Sequence, residues 1–357
     1  GTSIFVVGVV CGKVAFLLLQ VLLGRVLGPE GYGLYSLGFS IVMIVQWVAS
    51  LGLDWGVLRY CALHRVEGNS EQVRKTFSLA LLISMASSLL VAGLLMAGAG
   101  ILARSFFEEL TFGPTLRLFA LSLPLYVLMR LATAFLQSSH QIFRMTLVGH
   151  IAQPVSNLLF VLGVVTLGLG VEGAVGAFVV SLLIAAAVGV YFIRQDILRL
   201  SWELLDRRGV GPLLRYSLAL VFVGVGYQFL LRIPNLLLGY LAGAEQVGVY
   251  AAAANMAMVL SLMPALFVAP FLPVIVELWQ KGQGVELNRQ YRTVVRWSMS
   301  VILPIFLLMI LLRKEIMELF GAEYGEGGPI LMLLSFAWVV YFAKGSVGTL
   351  LDMTGRQ

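Results

Sequence analysis

The sequence predicts an all-α polytopic membrane protein, and three observations carry that prediction. Hydrophobic residues make up 60% of the 357-residue chain and charged residues 12%, where an average soluble domain carries about 25% charge and 45–50% apolar residues. Mean hydropathy is +0.95. The apolar residues fall in continuous blocks of roughly 20, the length a helix needs to cross a hydrocarbon core of about 30 Å. Lipid offers no partners to backbone N–H and C=O groups, so such blocks are expected to bond internally as helices. The alternation over about 10 residues that marks a membrane-barrel strand is not seen.

Ten spans are expected, at residues 3–23, 34–53, 77–103, 116–137, 146–168, 172–193, 216–242, 248–277, 297–312 and 329–351. The first is not expected to be a cleavable signal peptide, because Lys13 sits at its centre and no basic segment precedes it. Alternate loops hold the basic residues. One set carries Arg59, Arg65, Arg74, Lys75, Arg144, Arg194, Arg199, Arg207, Arg208, Arg215, Lys281, Arg289, Arg292, Arg296 and Arg356. The other carries Arg25, Arg104, Arg117, Arg313 and Lys314, mixed with Glu30, Glu108, Glu109, Glu172, Glu245 and Glu315. Fifteen against five places the first set, and both chain ends, on the cytoplasmic side of the membrane. The net charge of +6 is then a topology signal, and nucleic acid is not expected as a partner. Cys11 lies in the first block and Cys61 in the loop after the second; they read as small apolar fillers rather than a disulfide.

An internal repeat organises the chain. The run from Leu23 to Tyr35, with Gly24, Gly28, Glu30, Gly31, Tyr32 and Gly33, recurs from Leu238 to Tyr250 with Gly239, Gly243, Glu245 and Gly248. The same offset pairs Glu71 with Glu286, Arg74 with Arg289, Pro114 with Pro329 and Tyr126 with Tyr341. Repeats six helices apart share one orientation, so an axis along the membrane normal is expected to relate them. The domains expected are a six-helix lobe at 1–193, a cytoplasmic inter-lobe loop at 194–215 and a second lobe at 216–357. The last residues, Leu351–Gln357, align with Leu136–Ile142 of the first copy, which continues for two more helices. The second lobe is therefore expected to be truncated here and the intact protein to hold at least twelve helices.

The run Leu27-Gly28-Pro29-Glu30-Gly31-Tyr32-Gly33-Leu34-Tyr35, followed by Leu51-Gly52-Leu53 and Arg59-Tyr60, resembles the polysaccharide-export branch of the multidrug/oligosaccharidyl-lipid/polysaccharide exporter superfamily. Leu319-Phe320-Gly321-Ala322-Glu323-Tyr324 and Thr354-Gly355-Arg356 are similar to that group as well. The resemblance implies two six-helix lobes around a central cavity that opens alternately to each side. It implies a flippase for polyprenyl-pyrophosphate-linked oligosaccharide, of the O-antigen or capsule type, and brings polysaccharide polymerase machinery in as a candidate partner. Gly28, Gly31 and Gly33 also have a packing role open to them, as a tight turn and a close helix approach.

Four cations fall inside expected spans: Lys13, Arg130, Arg232 and Lys344. Each costs about 2.5–3.5 kcal/mol at the bilayer centre on insertion scales, so such groups normally face a protein interior or a watery cavity. In the repeat Lys13 corresponds to Gln228, one turn from Arg232, and Gln20 to Asn235. Arg130 corresponds to Gly345, beside Lys344. A cavity holding these cations with Gln20, Gln228 and Asn235 suits an anion such as pyrophosphate, which arginine meets with a planar fork and lysine with a point charge. Gln153, Asn157 and Asn255 are further amides, able to meet sugar hydroxyls or to bond between helices. Arg130 and Lys344 lie near the cytoplasmic ends of their spans, where snorkelling to the interface is the competing role.

Asp54 is a candidate partner for Arg59 or a cavity cation, and a candidate for coupling to a proton or sodium ion. His64, His140 and His150 show no metal-ligand spacing, and no catalytic set or phosphate-cradling glycine loop stands out, so no enzyme, metal or cofactor is expected. Pro234 interrupts the seventh span beside Arg232, and Pro264, Pro270 and Pro273 the eighth; interrupted helices often border transporter sites. A cation-coupled drug exporter would favour an acidic cavity, and a membrane glycosyltransferase or polymerase would need catalytic acids in a large loop. The basic spans and the short, basic 194–215 loop disfavour both. A lipid II flippase is not separated from the leading reading.

Overall fold

The computed structural model describes residues 2–105, 107, 111–197, 207–261, 271, 275, 277–279 and 281–343. Regular structure among them is helical throughout: α1 Thr2–Ser50, α2 Leu53–Val66, α3 Ser70–Ser105, α4 Phe112–Ser138, α5 Ile142–Thr146, a π segment Leu147–Ala152, α6 Gln153–Leu167 and α7 Gly170–Ile197. Then follow α8 Arg207–Leu241, α9 Ala244–Ala257, α10 Gly284–Leu311, α11 Arg313–Glu318 and α12 Gly328–Ala343, with 3-10 turns at Met258–Ser261 and Ala322–Gly327. Eight helical stretches among the described residues are long and apolar enough to cross a membrane. Two of the ten expected spans lie within α1. It breaks at Gly28 (φ 67°, ψ 176°), a conformation open to glycine, and Pro29 fills the first turn of the helix that follows. The expected 248–277 span runs beyond Ser261 into residues outside those described, as do Pro264, Pro270, Pro273 and Lys344.

Two boundaries differ from expectation for physical reasons. The second span does not end in a loop: after a break at Leu51 (φ 51°) and Gly52 (φ 64°) the chain resumes as α2. Cys61, expected in a loop, is therefore a buried residue of that helix, and its Sγ donates to the Val73 carbonyl at 3.7 Å. Burial pushes its thiol up to about 12, so at physiological pH it stays neutral and poorly nucleophilic. A water-soluble maleimide at pH 8 is expected to leave Cys61 unlabelled in the native protein and to label it after unfolding in detergent; rapid native labelling would contradict the packing of α2 on α3. Finally, α10 starts at Gly284 rather than 297, because its basic first turns escape an apolar-run criterion yet continue the helix.

The chain divides into two compact units, Gly1–Gly248 and Val249–Gln357. This partition runs later than the 193/216 boundaries read from sequence because α8 packs on α1 and α2. In the first unit α4 packs against α3 and α7, and α1 against α6 and α8. The buried side chains Tyr32, Phe77, Phe112, Phe119 and Phe135 are its largest fillers, with Phe77 and Phe135 rings 4.4 Å apart. Serines in these helices bond to their own backbone one turn earlier, as Ser40 does to Ser36 and Ser122 to Phe119, which removes the cost of a hydroxyl in an apolar layer. In the second unit α10 packs with α12, and the Phe320 and Tyr324 rings lie tilted to one another at 5.6 Å beside the Gly321 turn.

The repeat has a structural counterpart inside the first unit. A Cβ on Gly33 would sit 2.6 Å from the carbonyl carbon of Ala244, and one on Gly248 would sit 2.8 Å from that of Pro29. Under the 215-residue offset Gly33 corresponds to Gly248 and Pro29 to Ala244. The two copies of the glycine run thus meet with exchanged partners, as a local two-fold contact requires.

Candidate substrate cavity

The site is built from α2, α4 and the π segment. Leaving the Leu51–Gly52 break, α2 carries Asp54 and Trp55 in its first turn, with Asp54 buried. Ser50 secures the break: its Oγ accepts from the Gly52 N–H at 3.2 Å, and its carbonyl accepts from Ser84 Oγ at 3.3 Å. Arg130, on α4, donates from Nε to Asp54 Oδ2 at 3.1 Å and from Nη2 to the same oxygen. Asp54 Oδ1 accepts from no group among the described residues. The guanidinium also lies 5.8 Å from the Trp47 ring, which packs closely against Gly224 of α8. Of the two partners sequence allowed Asp54, the cavity cation is the one it takes. Arg130 is held by that pair, its side chain 32% exposed against 6% for Asp54.

These groups face a cavity of about 340 Å³ lined by Asp54, Trp55, Leu58, Tyr126, Arg130, Thr133, Gln137, Met145 and His150, among others. A second space of about 450 Å³ shares Leu58, Gln137 and Met145 with it and adds His140 and Ile142. A smaller one, about 110 Å³, is lined by Gln20, Tyr35, Phe39, Tyr126, Gln153 and Asn157 among others. Gly12 lets α1 approach the π segment so closely that a Cβ there would meet the His150 backbone. That approach brings Lys13 into electrostatic reach of the His150 ring. Arg232, on α8, sits 5.1 Å from the Phe39 ring, and its buried Nε finds no acceptor among the described residues. Tyr126 lies within electrostatic reach of both Arg130 and Arg232.

Of the three cations Arg130 lines the 340 Å³ cavity, whereas Lys13 and Arg232 line none of the three spaces; they lie within electrostatic reach of His150 and Tyr126, two wall residues the sequence reading did not select. The amides behave differently. Gln20 accepts from Tyr32 at 2.7 Å, Asn235 donates to Ser40 at 2.9 Å and Gln153 to Ser181 at 3.3 Å. These are interhelical or interturn bonds of the first unit. Asn157 is buried beside Tyr35 on the wall of the smallest space, and its Oδ1 has no hydrogen-bond partner among the described residues. Gln228 is half-buried on α8, and Asn255 lies on α9. Lys344 is outside the described residues. Trp47, Trp55 and Gln137 also escaped notice, since aromatics in apolar spans and a glutamine at a helix end carry no local signal.

Helices, breaks and cavity together define a polytopic membrane protein with the fold of the transporters of the multidrug/oligosaccharidyl-lipid/polysaccharide exporter superfamily. A structure reported as the inward-facing conformation of a multidrug resistance MATE family transporter of that superfamily matches 96% of this chain and 81% of that one. Its TM-score is 0.79, at 17% identity. One of a superfamily transporter from Pyrococcus furiosus, reported with a binding pocket of reverse polarity, matches at TM-score 0.69 and 18% identity over 99% and 82% of the two chains. Residues 1–279 match the profile of the family described as polysaccharide biosynthesis protein, and the chain belongs to that family. It is 23% identical to a putative O-antigen transporter of Shigella flexneri over 85% of this chain and 72% of that protein. It is 26% identical to the capsular polysaccharide biosynthesis protein CapF of Staphylococcus aureus over 35% and 32%.

Proposed function

We propose that this protein is a flippase that carries a polyprenyl-pyrophosphate-linked oligosaccharide from the cytoplasmic to the outer leaflet for surface polysaccharide synthesis. The observation that carries this reading is the basic balance of the membrane-spanning helices of the first unit: Lys13, Arg130 and Arg232 against, among the described residues, one buried acid, Asp54, which Arg130 already holds. Arg232 has no ion-pair partner among the described residues, and a planar guanidinium in that state is a fitting receptor for phosphate oxygens. The family assignment and the names of the Shigella and Staphylococcus relatives point to the same class of cargo. In this reading the basic loops face the cytoplasm, two six-helix lobes alternate in access, and the inter-lobe segment at 194–215 links them. A cation-coupled drug exporter fits less well, because the one acid on the cavity wall is neutralised.

Native mass spectrometry of the full-length protein, extracted gently from its own membrane, tests the proposal. A co-purifying polyprenyl-pyrophosphate glycan, lost in the Lys13→Ala/Arg232→Ala double variant, is the expected result. Bulk phospholipid alone, together with binding of an added organic cation, would transfer the weight to the exporter reading.

A further inference from the structure

We infer that the cavity at the start of α2 is a saccharide subsite, with Trp55 as its stacking platform and Asp54 and Gln137 as its hydroxyl partners, separate from the phosphate-reading cation at Arg232. This deepens the flippase reading and rests on it. Asp54 and Trp55 are consecutive in sequence, and both line the 340 Å³ cavity. Trp55 is 43% exposed, so a substantial part of this cavity-lining residue is left uncovered by the rest of the protein. An indole face is electron-rich and prefers the electropositive edge of what packs on it; the C–H face of a sugar ring presents such an edge. The rim of that sugar carries hydroxyls, which need acceptors and donors in fixed positions. Asp54 supplies one: Arg130 clamps Oδ2, orienting the carboxylate, and leaves Oδ1 without a donor among the described residues. Gln137, exposed and lining both larger spaces, supplies an amide at their junction.

Electrostatics separates this subsite from the phosphate site. The Arg130 charge is balanced by Asp54, and bringing pyrophosphate to that pair would set it against a buried carboxylate. Arg232 carries no such partner among the described residues. The mixture of one aromatic face, apolar walls and a few placed polar groups, at about 340 Å³, is that of a small-molecule pocket of roughly 300–1,000 Å³. The adjoining 450 Å³ space gives room for a further sugar. Tryptophan at a membrane interface also serves as an anchor to lipid headgroups, a role that would act on stability and not on ligand choice.

The test uses full-length protein in nanodiscs with two probes, undecaprenyl pyrophosphate alone and the undecaprenyl-pyrophosphate oligosaccharide extracted from the source cells. Trp55→Leu is expected to weaken binding of the glycosylated probe at least tenfold and to change the sugar-free probe by less than twofold. Trp55→Tyr, which keeps a ring, should recover most of the loss. Arg232→Ala should weaken both probes together. If Trp55→Leu leaves the glycosylated probe unaffected, weakens both probes alike, or only lowers the melting temperature, the subsite is overturned. If wild-type protein binds neither probe, the flippase reading fails and the subsite falls with it.

Discussion

Arg130→Ala is expected to destabilise the protein by about 3 kcal/mol, the scale seen when one partner of a buried ion pair is removed. The reason is geometric. Asp54 has a side chain only 6% exposed, and both hydrogen bonds it accepts come from Arg130. Truncating the arginine leaves a carboxylate on the cavity wall with its counter-charge gone, and the α2 start at Leu51–Gly52 loses the clamp that ties it to α4. The reverse change should cost less. In Asp54→Ala the guanidinium, about a third exposed, keeps its place near the Trp47 ring and its access to the cavity. The double variant removes both charges and should be no worse than Arg130→Ala alone, since paired groups are non-additive. Thermal unfolding of the detergent-solubilised proteins gives the three values. Equal losses from the two single changes, or a double variant that sums them, would mean that the pair does not organise this wall.

Much of this arrangement could be read from the chain, and the rest could not for identifiable reasons. Lys13, Arg130 and Arg232 stand out in sequence because charge in an apolar span is costly; of the three, Arg130 lines a described cavity, while Lys13 and Arg232 line none of the three spaces. Gly28-Pro29 marked the break in α1 through residue chemistry alone. Asp54 was visible as an acid but its partner was not: Arg130 lies 76 residues away, and only the break at Leu51, a non-glycine residue at positive φ, turns α2 toward it. The π segment at Leu147–Ala152 has no compositional mark, so His150 stood out only as a histidine without metal-ligand spacing, although the segment sets it beside the cavity. The amides carry packing bonds as well. Gln20 and Asn235 lie on the predicted polar faces, but tertiary packing gave them Tyr32 and Ser40 as partners. A buried amide is costly unless bonded, and which hydroxyl bonds it is decided by tertiary packing that the sequence does not display.

Gly33→Ala and Gly248→Ala are expected to damage the protein strongly and to similar degrees. An added methyl at either position would run into backbone, the Ala244 carbonyl in one case and the Pro29 carbonyl in the other, and backbone has no rotamer with which to yield. Overpacking typically costs 1–3 kcal/mol where side chains can move, so about 3 kcal/mol or more is expected where they cannot. Gly31→Ala should be milder, because its nearest neighbours are side-chain atoms of Leu27 and Val171 at 3.1 Å. Gly226→Ala, inside α8 with nothing within 4 Å, should be neutral or stabilising by up to about 1 kcal/mol, since alanine is the better helix former. Melting temperatures of the four variants rank them directly. Matched losses at Gly33 and Gly248 would give the repeat physical content: glycine persists at corresponding positions because each copy's helix start is the surface on which the other packs. If Gly33→Ala were tolerated as well as Gly226→Ala, that contact would carry no weight and the likeness of the two runs would need another cause.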